Sequence, residues 1–235
     1  MNYSIIILCG GKGSRLSKVL PGPPKILSPI GKHTFFDYFI KWLKNNNSSL
    51  EDLILAMGFK SDLILNYIRS SPLKLNKIIE NKQEGTLPAV INAAKIAKNN
   101  DILILNGDTV FDVCFETMYS LYLKDKSSPL LCLRKIKSDK NIASSGYKFD
   151  SLKKIKYTEN NAEFISCGAF FCSKSLLNYN SIANLDFGKT KKYDLDSHYL
   201  SKANCRPFWA GNSYMIDIGT PDSYLQAQDS IPKYV

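Results

Sequence analysis

The feature that most limits the fold is an alternation, in the first half of the chain, of short apolar β-branched runs with longer runs that suit helices. Two of the short runs, 53–56 and 102–105, are apolar on both faces, as expected of strands that helices cover on both sides. The alternation predicts βαβ units and hence a mainly parallel sheet. The predicted strands are Tyr3–Cys9, Asp52–Met57, Leu75–Glu80 and Asp101–Leu105, and the predicted helices are Thr34–Lys44, Ser61–Ser70, Leu87–Lys98 and Phe115–Lys124.

The second half of the chain, from about residue 127, contains shorter alternating strands and few long helical stretches. This pattern predicts a mixed, partly antiparallel extension of the same sheet. Near the C-terminus a strand and a turn lead into a helix, for which Thr220 is the expected N-cap and Pro221 the expected first residue. We therefore expect an α/β fold, a Rossmann-like doubly wound mixed sheet that is mainly parallel, in a single domain over residues 1–235. The short strands predicted in this half are Leu130–Ile136, Tyr147–Phe149, Lys153–Thr158 and Phe164–Cys172.

Charge and cysteine content narrow the functional classes. The net charge is +10, but the basic residues are spread among many Asn and Ile residues, so a small phosphate-bearing ligand is favoured over a nucleic acid. No apolar run reaches the roughly 20 residues that span a bilayer, and no cleavable leader pattern is present, so we expect a cytoplasmic protein without a membrane partner. The six cysteines form no Cys-x-x-Cys pair and are expected to be buried free thiols rather than zinc ligands.

A glycine-rich turn follows the first predicted strand. Gly10, Gly11 and Gly13 allow backbone N–H groups to face a ligand without obstruction by Cβ atoms, and Arg15 adds a planar charge that suits phosphate oxygens. The dinucleotide-binding pattern G-x-G-x-x-G fits badly, because Leu16 stands where its third glycine would be. The turn therefore predicts a phosphate site of another type at the carboxyl end of strand one.

The glycine turn is part of a longer pattern. The stretch "LCGGKGSRL", followed about ten residues later by "PKILSPIG", resembles the signature of nucleotidyltransferases that make nucleoside diphosphate sugars. Within that family the chain looks most like the D-glycero-D-manno-heptose 1-phosphate guanylyltransferases. The resemblance implies a single-domain, glycosyltransferase-A-like fold, with a nucleotide-binding half over residues 1–126 and a sugar-binding half over residues 127–235. It continues through "QEGTLPAVINAA" at 83–94, "LNGDTVFDV" at 105–113, "SCGAFFCS" at 166–173 and "YMIDIGTPDSYLQAQ" at 214–228.

The resemblance implies a reaction and its principal residues. An oxygen of a sugar 1-phosphate attacks the α-phosphorus of a nucleoside triphosphate, and pyrophosphate leaves. By this resemblance Arg15 binds the β- and γ-phosphates, and Lys25, carried on the segment after two prolines, bridges the α-phosphate and the attacking phosphate. Asp108 and Asp217 match the family's two metal-binding aspartates, which implies Mg²⁺ as the cofactor.

The same resemblance assigns residues around the nucleotide base. Gly85 and Thr86 match the loop that surrounds the base, and Gln83 is placed to hydrogen-bond the base edge. The family often has two small residues after this pair, whereas this chain has Leu87 and Pro88, a change expected to alter the wall of the base pocket. The nucleotide-binding set is completed by Leu8, Gly10, Gly11, Gly13 and Gly107.

Residues of the second half match positions around the sugar. Gly146 and Gly168 match glycines beside it, and Glu159 matches a glutamate that binds sugar hydroxyls. The lysine that often follows this glutamate is replaced by Asn160, so its phosphate role is expected to pass to Lys154 or Lys156, or the acceptor differs from an ordinary sugar phosphate.

Three functions are compatible with the sequence. The first is transfer of a nucleotide from GTP to a heptose 1-phosphate for a bacterial surface polysaccharide. The second keeps the fold but makes the chain a cytidylyltransferase acting on another phosphorylated small molecule. The third is a nucleotide-binding regulator without turnover, against which the complete set of Arg15, Lys25, Asp108 and Asp217 argues. The oligomeric state is left open, a homo-oligomer included.

Overall fold

The computed structural model describes residues 2–46, 50–69, 71, 73–80, 84–136, 145–177, 193–212 and 214–235. The strands in these residues are β1 (Ser4–Cys9), β2 (Pro29–Ile30), β3 (His33–Thr34), β4 (Leu53–Met57), β5 (Leu75–Ile79), β6 (Asp101–Asn106), β7 (Thr109–Phe111), β8 (Leu130–Lys135), β9 (Gly146–Phe149), β10 (Ile155–Thr158), β11 (Phe164–Ser173), β12 (Arg206–Trp209) and β13 (Met215–Asp217). The α-helices are α1 (Phe35–Asn45), α2 (Ser61–Ile68), α3 (Thr86–Ile96), α4 (Phe115–Leu123) and α5 (Pro221–Tyr234). Every strand and helix for which the sequence predicts bounds is present, and the observed ends differ from the predicted ends by at most two residues.

The main sheet is mixed, as the sequence predicts. Among the described residues its order is β10-β9-β11-β6-β1-β4-β5, with β8 paired to β11 and β12 paired to β8. Strands β5, β4, β1 and β6 are mutually parallel, and β11 joins β6 in the antiparallel direction. The α/β doubly wound, mainly parallel fold expected from the sequence is thereby confirmed.

Helices cover both faces of the sheet. Since successive strand residues point to opposite faces, neighbouring residues of one strand are buried against different helices. Ile5 and Ile7 of β1 belong to a buried cluster with residues of α1, α2, α4 and α5. Ile6, between them, belongs to a second cluster with α3 and the turn Leu195–Leu200. The continuous apolar runs in β1, β4 and β6 are explained by this two-sided burial.

The carboxyl ends of the four parallel strands lie along one side of the sheet. We call this side the carboxyl edge, and it begins with the residues that directly follow β1, β4, β5 and β6, namely Gly10, Gly58, Glu80 and Gly107. The strands are in register there, since Leu8 lies opposite both Ala56 and Asn106. Ligands of open α/β sheets bind beyond this edge.

Antiparallel pairing brings part of the second half to the same edge. An added Cβ on Gly168 would lie 2.7 Å from the side-chain Nδ2 of Asn106, so this glycine is next to the end of β6. The first residue of β11 pairs with the start of β9, and Gly146 at that start pairs with Thr158. Glu159 therefore follows a strand that also ends at the carboxyl edge.

Two further expectations concern membranes and thiols. Within the described ranges, no helix has the length and apolar character needed to cross a bilayer. All six cysteines are free thiols, and five are buried as expected. Cys114 is exposed, which corrects the expectation for that residue: it directly precedes α4 rather than lying inside a strand.

Candidate active site

A cavity of about 430 Å³ opens at the carboxyl edge. Its lining comes from the turn after β1, the segment that carries Lys25, the start of α3 and the turn after β6. Most of the nucleotide-binding residues expected from the sequence lie in this lining: Leu8, Gly10, Gly11, Gly13, Lys25, Gly85, Thr86, Gly107 and Asp108. Gln83 lies outside the described residues.

The glycines of the first turn have different structural reasons. An added Cβ on Gly11 would meet no atom within 4 Å, so this glycine faces open space in the cavity. Gly13 has a φ of +59°, and its added Cβ would lie 3.0 Å from the Lys25 side chain. At Gly10 the added Cβ would lie 3.0 Å from a carboxylate oxygen of Glu80. Gly11 leaves room for a ligand, whereas the other two allow side chains to approach the backbone.

The proline-rich segment returns Lys25 to the carboxyl edge. Pro24 is extended, and the short 3₁₀ helix Lys25–Leu27 then buries Ile26 and Leu27 in the core. This anchoring holds the Lys25 side chain against the turn after β6, where its Nζ lies 2.7 Å from Oδ2 of Asp108. The structure thus joins two of the residues expected to act together, although 83 positions separate them in the chain.

Asp217 reaches the same place from the second half of the chain. β13 pairs antiparallel with β7, and Asp217 lies opposite Thr109, the neighbour of Asp108. The pKa of Asp217 is raised to about 6, first by desolvation and then by the negative charge of Asp108, while Lys25 and Arg15 act in the opposite direction. The four residues expected to act in catalysis therefore interact electrostatically.

Asp217 is the last residue of β13 and is exposed to solvent. Gly219 packs beside it, since an added Cβ there would lie 2.8 Å from Oδ1 of Asp217. The carboxylate is thus accessible to a ligand while remaining close to protein atoms that disfavour its charge.

The two carboxylates fit a hard divalent ion. Magnesium in proteins typically takes one or two carboxylates and fills its remaining positions with water and substrate phosphates. Asp108 and Asp217 supply such a pair, and their mutual repulsion, seen in the raised pKa of Asp217, is what a bound cation would relieve. Within the described part of the chain no group of three or more His, Cys, Asp or Glu side chains is placed to hold a metal, which agrees with a site of two carboxylates.

A second, smaller cavity of about 210 Å³ adjoins the glycine turn. It shares Lys12, Gly13 and Lys25 with the first cavity and adds Lys60, whose Nζ donates to the carbonyl of Gly22. Three lysines therefore surround the turn. Arg15 is exposed and lines neither cavity, and its effect on the pKa of Asp217 places it near the carboxylates.

The loop before α3 is held by a segment of the second half. Tyr193 N–H donates to the Glu84 carbonyl at 2.7 Å, and Leu87 N–H donates to the Tyr193 carbonyl at 3.0 Å. Gly85, with a φ of +109°, lies so close that an added Cβ would be 2.4 Å from the Tyr193 carbonyl oxygen. This pairing brings Asp194 into the lining of the main cavity.

Leu87 and Pro88, the two residues that depart from the family pattern, lie in the first turn of α3 as its second and third residues. The Leu87 side chain is 1% exposed and packs in the core between α3 and the sheet. Neither residue lines the cavity, whereas Ala89 does. The expected effect of Leu87 and Pro88 on the base pocket stays a prediction.

The residues expected around the sugar lie at the carboxyl edge but outside the cavity lining. Gly168 has a φ of +72° and lies where the pairing of β11 with β8 is irregular. An added Cβ on Gly146 would lie 2.4 Å from the Phe164 carbonyl oxygen, so this glycine allows β9 and β11 to lie close together. Glu159 is exposed in the turn after β10. Their sugar-binding roles remain predictions.

Three charged residues of the cavity were missed in the sequence: Lys12, Glu80 and Asp194. Glu80 directly follows β5, as Asp108 follows β6, so the rule that places ligands at the carboxyl ends of parallel strands could have identified it. Lys12 lies inside the glycine turn itself. No local signal marks Asp194, which comes to the cavity through backbone pairing over more than one hundred positions.

Comparisons with known proteins agree with this geometry. The family model described as nucleotidyl transferase matches residues 4–233. The chain is 28% identical over 239 residues to a D-glycero-alpha-D-manno-heptose 1-phosphate guanylyltransferase of Aneurinibacillus thermoaerophilus, covering 98% of this chain and 99% of that protein.

Two solved structures share the fold. HddC from Yersinia pseudotuberculosis, in complex with GMP-PN, has a TM-score of 0.77 at 23% identity, and 97% of this chain and 98% of that chain are covered. The inositol-1-phosphate CTP transferase from T. maritima has a TM-score of 0.79 at 18% identity, with 100% and 98% covered. The family match spans nearly the whole chain and agrees with the glycine turn, the lysine and the paired carboxylates: the chain belongs to the nucleotidyl transferase family.

Proposed function

We propose that this enzyme transfers GMP from GTP to D-glycero-D-manno-heptose 1-phosphate, giving GDP-heptose and pyrophosphate for a capsule or lipopolysaccharide. The observation that carries the proposal is the grouping of Lys25, Asp108 and Asp217 beside a cavity that begins at the glycine turn. The guanine and heptose assignments are supported by the relative of 28% identity, which is named for that activity. A cytoplasmic location, where nucleoside triphosphates are made, belongs to the same proposal.

The reaction needs positive charge and alignment more than it needs a base. A phosphate-monoester oxygen forms a bond to the α-phosphorus, the bond from that phosphorus to the bridging oxygen breaks, and pyrophosphate leaves with the electron pair. The attacking phosphate is already largely ionised, since its second pKa is about 6. Neither His33 nor His198 lines the cavity, which agrees with a reaction that has no general base.

The chain's own residues orient the substrates. The open space beside Gly11 would admit the phosphates. Lys25, fixed by the buried 3₁₀ helix, would bridge the α-phosphate and the attacking phosphate. Lys12 and Lys60 add positive charge around the terminal phosphates. Asp108 and Asp217 would hold Mg²⁺, as relatives of this family generally require a divalent metal. When bound, the ion would offset negative charge that accumulates on phosphate oxygens.

A matrix of substrates tests the proposal. Four nucleoside triphosphates are combined with heptose, glucose, mannose and inositol 1-phosphates, and pyrophosphate release is measured with and without magnesium. We expect release with GTP and the heptose 1-phosphate, and loss of release when magnesium is withheld. Turnover with CTP alone would replace the heptose assignment by a cytidylyltransferase. Nucleotide binding without release in any combination would favour a regulator and overturn the proposed reaction.

A further inference from the structure

One of the two carboxylates proposed to hold the metal lies on a very small sheet. Among the described strands β13 pairs only with β7, through three residue pairs that end with Asp217 opposite Thr109. A two-stranded ribbon of this size is marginally stable by itself. A slip of one residue in its pairing would turn each side chain of β13 to the opposite face and take Asp217 away from Asp108. The position of Asp217 therefore depends on contacts that fix the register of the ribbon.

The two ends of β13 are held differently. Ile218, just after the strand, is buried in the core, and its N–H donates to the Asp108 carbonyl at 3.0 Å. Before the strand, the Asp112 N–H donates to the Tyr214 carbonyl at 2.9 Å, and the Gly211 N–H donates to the Asp112 carbonyl at 3.1 Å. The second end is thus tied to the residue that follows β7. We call the chain between β12 and β13 the β12–β13 connection; its described residues are Ala210, Gly211, Asn212 and Tyr214.

The β12–β13 connection lies between β7 and the main sheet. An added Cβ on Gly211 would lie 2.0 Å from Oδ2 of Asp112, so only glycine leaves this carboxylate its place. On the other side the Ala210 N–H donates to the Leu133 carbonyl of β8 at 2.9 Å. The connection therefore links the ribbon to a strand of the main sheet.

Arg134 strengthens this link from the next position of β8. Its Nη2 donates to the Asn212 carbonyl at 2.7 Å. The residue is 9% exposed, and no other Lys or Arg in the described ranges is as deeply buried. Burying a guanidinium is costly, and a well-packed apolar side chain often stabilises a fold at least as well. The four preceding residues of the strand, Leu130–Leu133, are all apolar, so packing of β8 alone does not account for an arginine here.

We propose that Arg134 is a positioning residue for the metal site: by holding the Asn212 carbonyl it keeps β13 in register with β7, so that Asp217 stands beside Asp108. The proposal rests on the proposed role of these two aspartates. Arg134 would act on the metal only through Asp217, as residues that orient metal ligands do.

The test compares Arg134→Met with Arg206→Met. Methionine keeps much of the side-chain length and removes the donors. Arg206 is a matched control because it also donates to backbone carbonyls, those of Leu121, Tyr122 and Asp125, but it pairs with Leu130 at the opposite end of β8. Binding of Mn²⁺ to the free protein is measured from the loss of the free-ion EPR signal, and the Mg²⁺ dependence of the rate is measured by pyrophosphate release.

Arg134→Met should weaken Mn²⁺ binding and raise the Mg²⁺ concentration for the half-maximal rate, each by about tenfold. The kcat at saturating Mg²⁺ should recover, since Asp217 itself is present. Arg134→Lys, which keeps a charged donor, should restore part of the Mn²⁺ affinity. Arg206→Met should lower Tm and leave both metal constants unchanged.

A double variant tests whether Arg134 acts through Asp217. In a protein that already carries Asp217→Asn, Arg134→Met should weaken Mn²⁺ binding no further. An equal loss in both backgrounds would overturn the proposal. So would wild-type Mn²⁺ affinity in an Arg134→Met protein that is folded by circular dichroism. Should Arg134→Met not fold, Arg134→Lys is compared with Arg206→Lys, and an unchanged Mn²⁺ affinity would contradict the role.

Failure of the proposed function gives a different result. A wild-type protein that binds Mn²⁺ but releases no pyrophosphate with any substrate pair would overturn the reaction, and Mn²⁺ binding would still test Arg134. A wild-type protein that binds no Mn²⁺ would remove the metal role of the two aspartates. Hydrogen exchange would then test the register: Arg134→Met should speed exchange of the Asp112 N–H, and an unchanged rate would overturn the role of Arg134.

Discussion

The two halves of the molecule supply their site residues in different ways. In the first half four parallel strands end together, so the turns after β1 and β6 and the residue after β5 line one cavity. In the second half antiparallel strands alternate in direction, so only some of their connections reach the carboxyl edge. Gly146, Glu159 and Gly168 come to that edge without lining the cavity, whereas Asp194 and Asp217 approach it through separate backbone pairings. Parallel strands thus bring the residues of several turns to one edge of the sheet, whereas antiparallel strands bring only some of their connections there.

The largest expected effect tests whether the two halves share one reaction centre. Asp108 comes from the first half and Asp217 from the second, and each is proposed to hold the metal. We expect Asp108→Asn and Asp217→Asn each to lower kcat by about a thousandfold, as for loss of a group that stabilises a phosphoryl-transfer transition state. Steady-state pyrophosphate release measures this, and unchanged circular dichroism shows that the fold is kept.

Asp229→Asn is the control for these variants, because Asp229 is exposed on α5. Its rate should equal that of the wild type. A near-normal rate for Asp217→Asn beside a large loss for Asp108→Asn would confine the chemistry to the first half and remove Asp217 from the metal site.

The next effect concerns the contact between the halves at the loop before α3. Gly85→Ala should cost about 2–4 kcal/mol of stability, because its Cβ would collide with Tyr193 and its positive φ disfavours alanine. Gly11→Ala should leave Tm unchanged, since nothing lies within 4 Å of its Cβ, yet weaken nucleotide binding. Thermal unfolding and calorimetry separate these results, and an unchanged Tm for Gly85→Ala would show that the segment around Tyr193 does not press on this loop.

A smaller effect tests the sugar-binding role of the second half. Glu159→Gln should raise KM for the sugar 1-phosphate about tenfold, the loss typical of one charged hydrogen bond, and should leave KM for the nucleotide unchanged. Glu163→Gln is a matched control, as Glu163 is also exposed and close in the chain. If KM for the nucleotide rises instead, the assignment of Glu159 to the sugar is wrong.

The smallest effect is a pH dependence of stability. The pKa of Glu80 is raised to about 7, above its ordinary value of 4.5, so the folded state favours the protonated carboxyl. The resulting stabilisation is complete below pH 4.5 and is lost as the pH rises through 7. Glu80→Gln does not titrate, and its Tm should therefore rise relative to the wild type between pH 5 and pH 8.

Because Glu80 is only half-buried, solvent screening limits this difference to about 1 kcal/mol, or roughly 2–4 °C in Tm. Among the described residues, Cys9 and Glu84 interact electrostatically with Glu80, and Asp194 and Lys12 line the same cavity. Glu84→Gln removes one of them and should reduce the pKa shift itself. A difference in Tm between Glu80→Gln and the wild type that is constant with pH would contradict the raised pKa.

Local sequence was sufficient wherever local interactions decide the structure. The helix at the C-terminus is an example: Thr220 Oγ1 accepts from the Ser223 N–H at 3.2 Å, and Pro221 is the first helical residue, as expected from their types. The glycine turn, Lys25 and Asp108 were also identifiable, because each follows a strand or lies in a motif of the family.

Other elements depend on distant partners and were not predicted. The hairpin of β2 and β3 has only two residues in each strand, too few for a periodic pattern. β12 contains Pro207 and is a strand only because it pairs with β8 at the end of the sheet's branch. In both cases the pairing partner, and not the segment itself, determines the conformation.

The sequence by itself determined the alternating strands and helices, their ends to within two residues, and the motif that places the chain in its family, because burial periodicity and capping act over a few residues. The tertiary structure alone decided which charges share the site. Asp108 and Asp217 become neighbours through the pairing of β7 with β13, Asp194 through Tyr193, and Glu80 through two glycines that leave space above the sheet. These contacts join positions far apart in the chain, and strand register, which no local pattern encodes, fixes them.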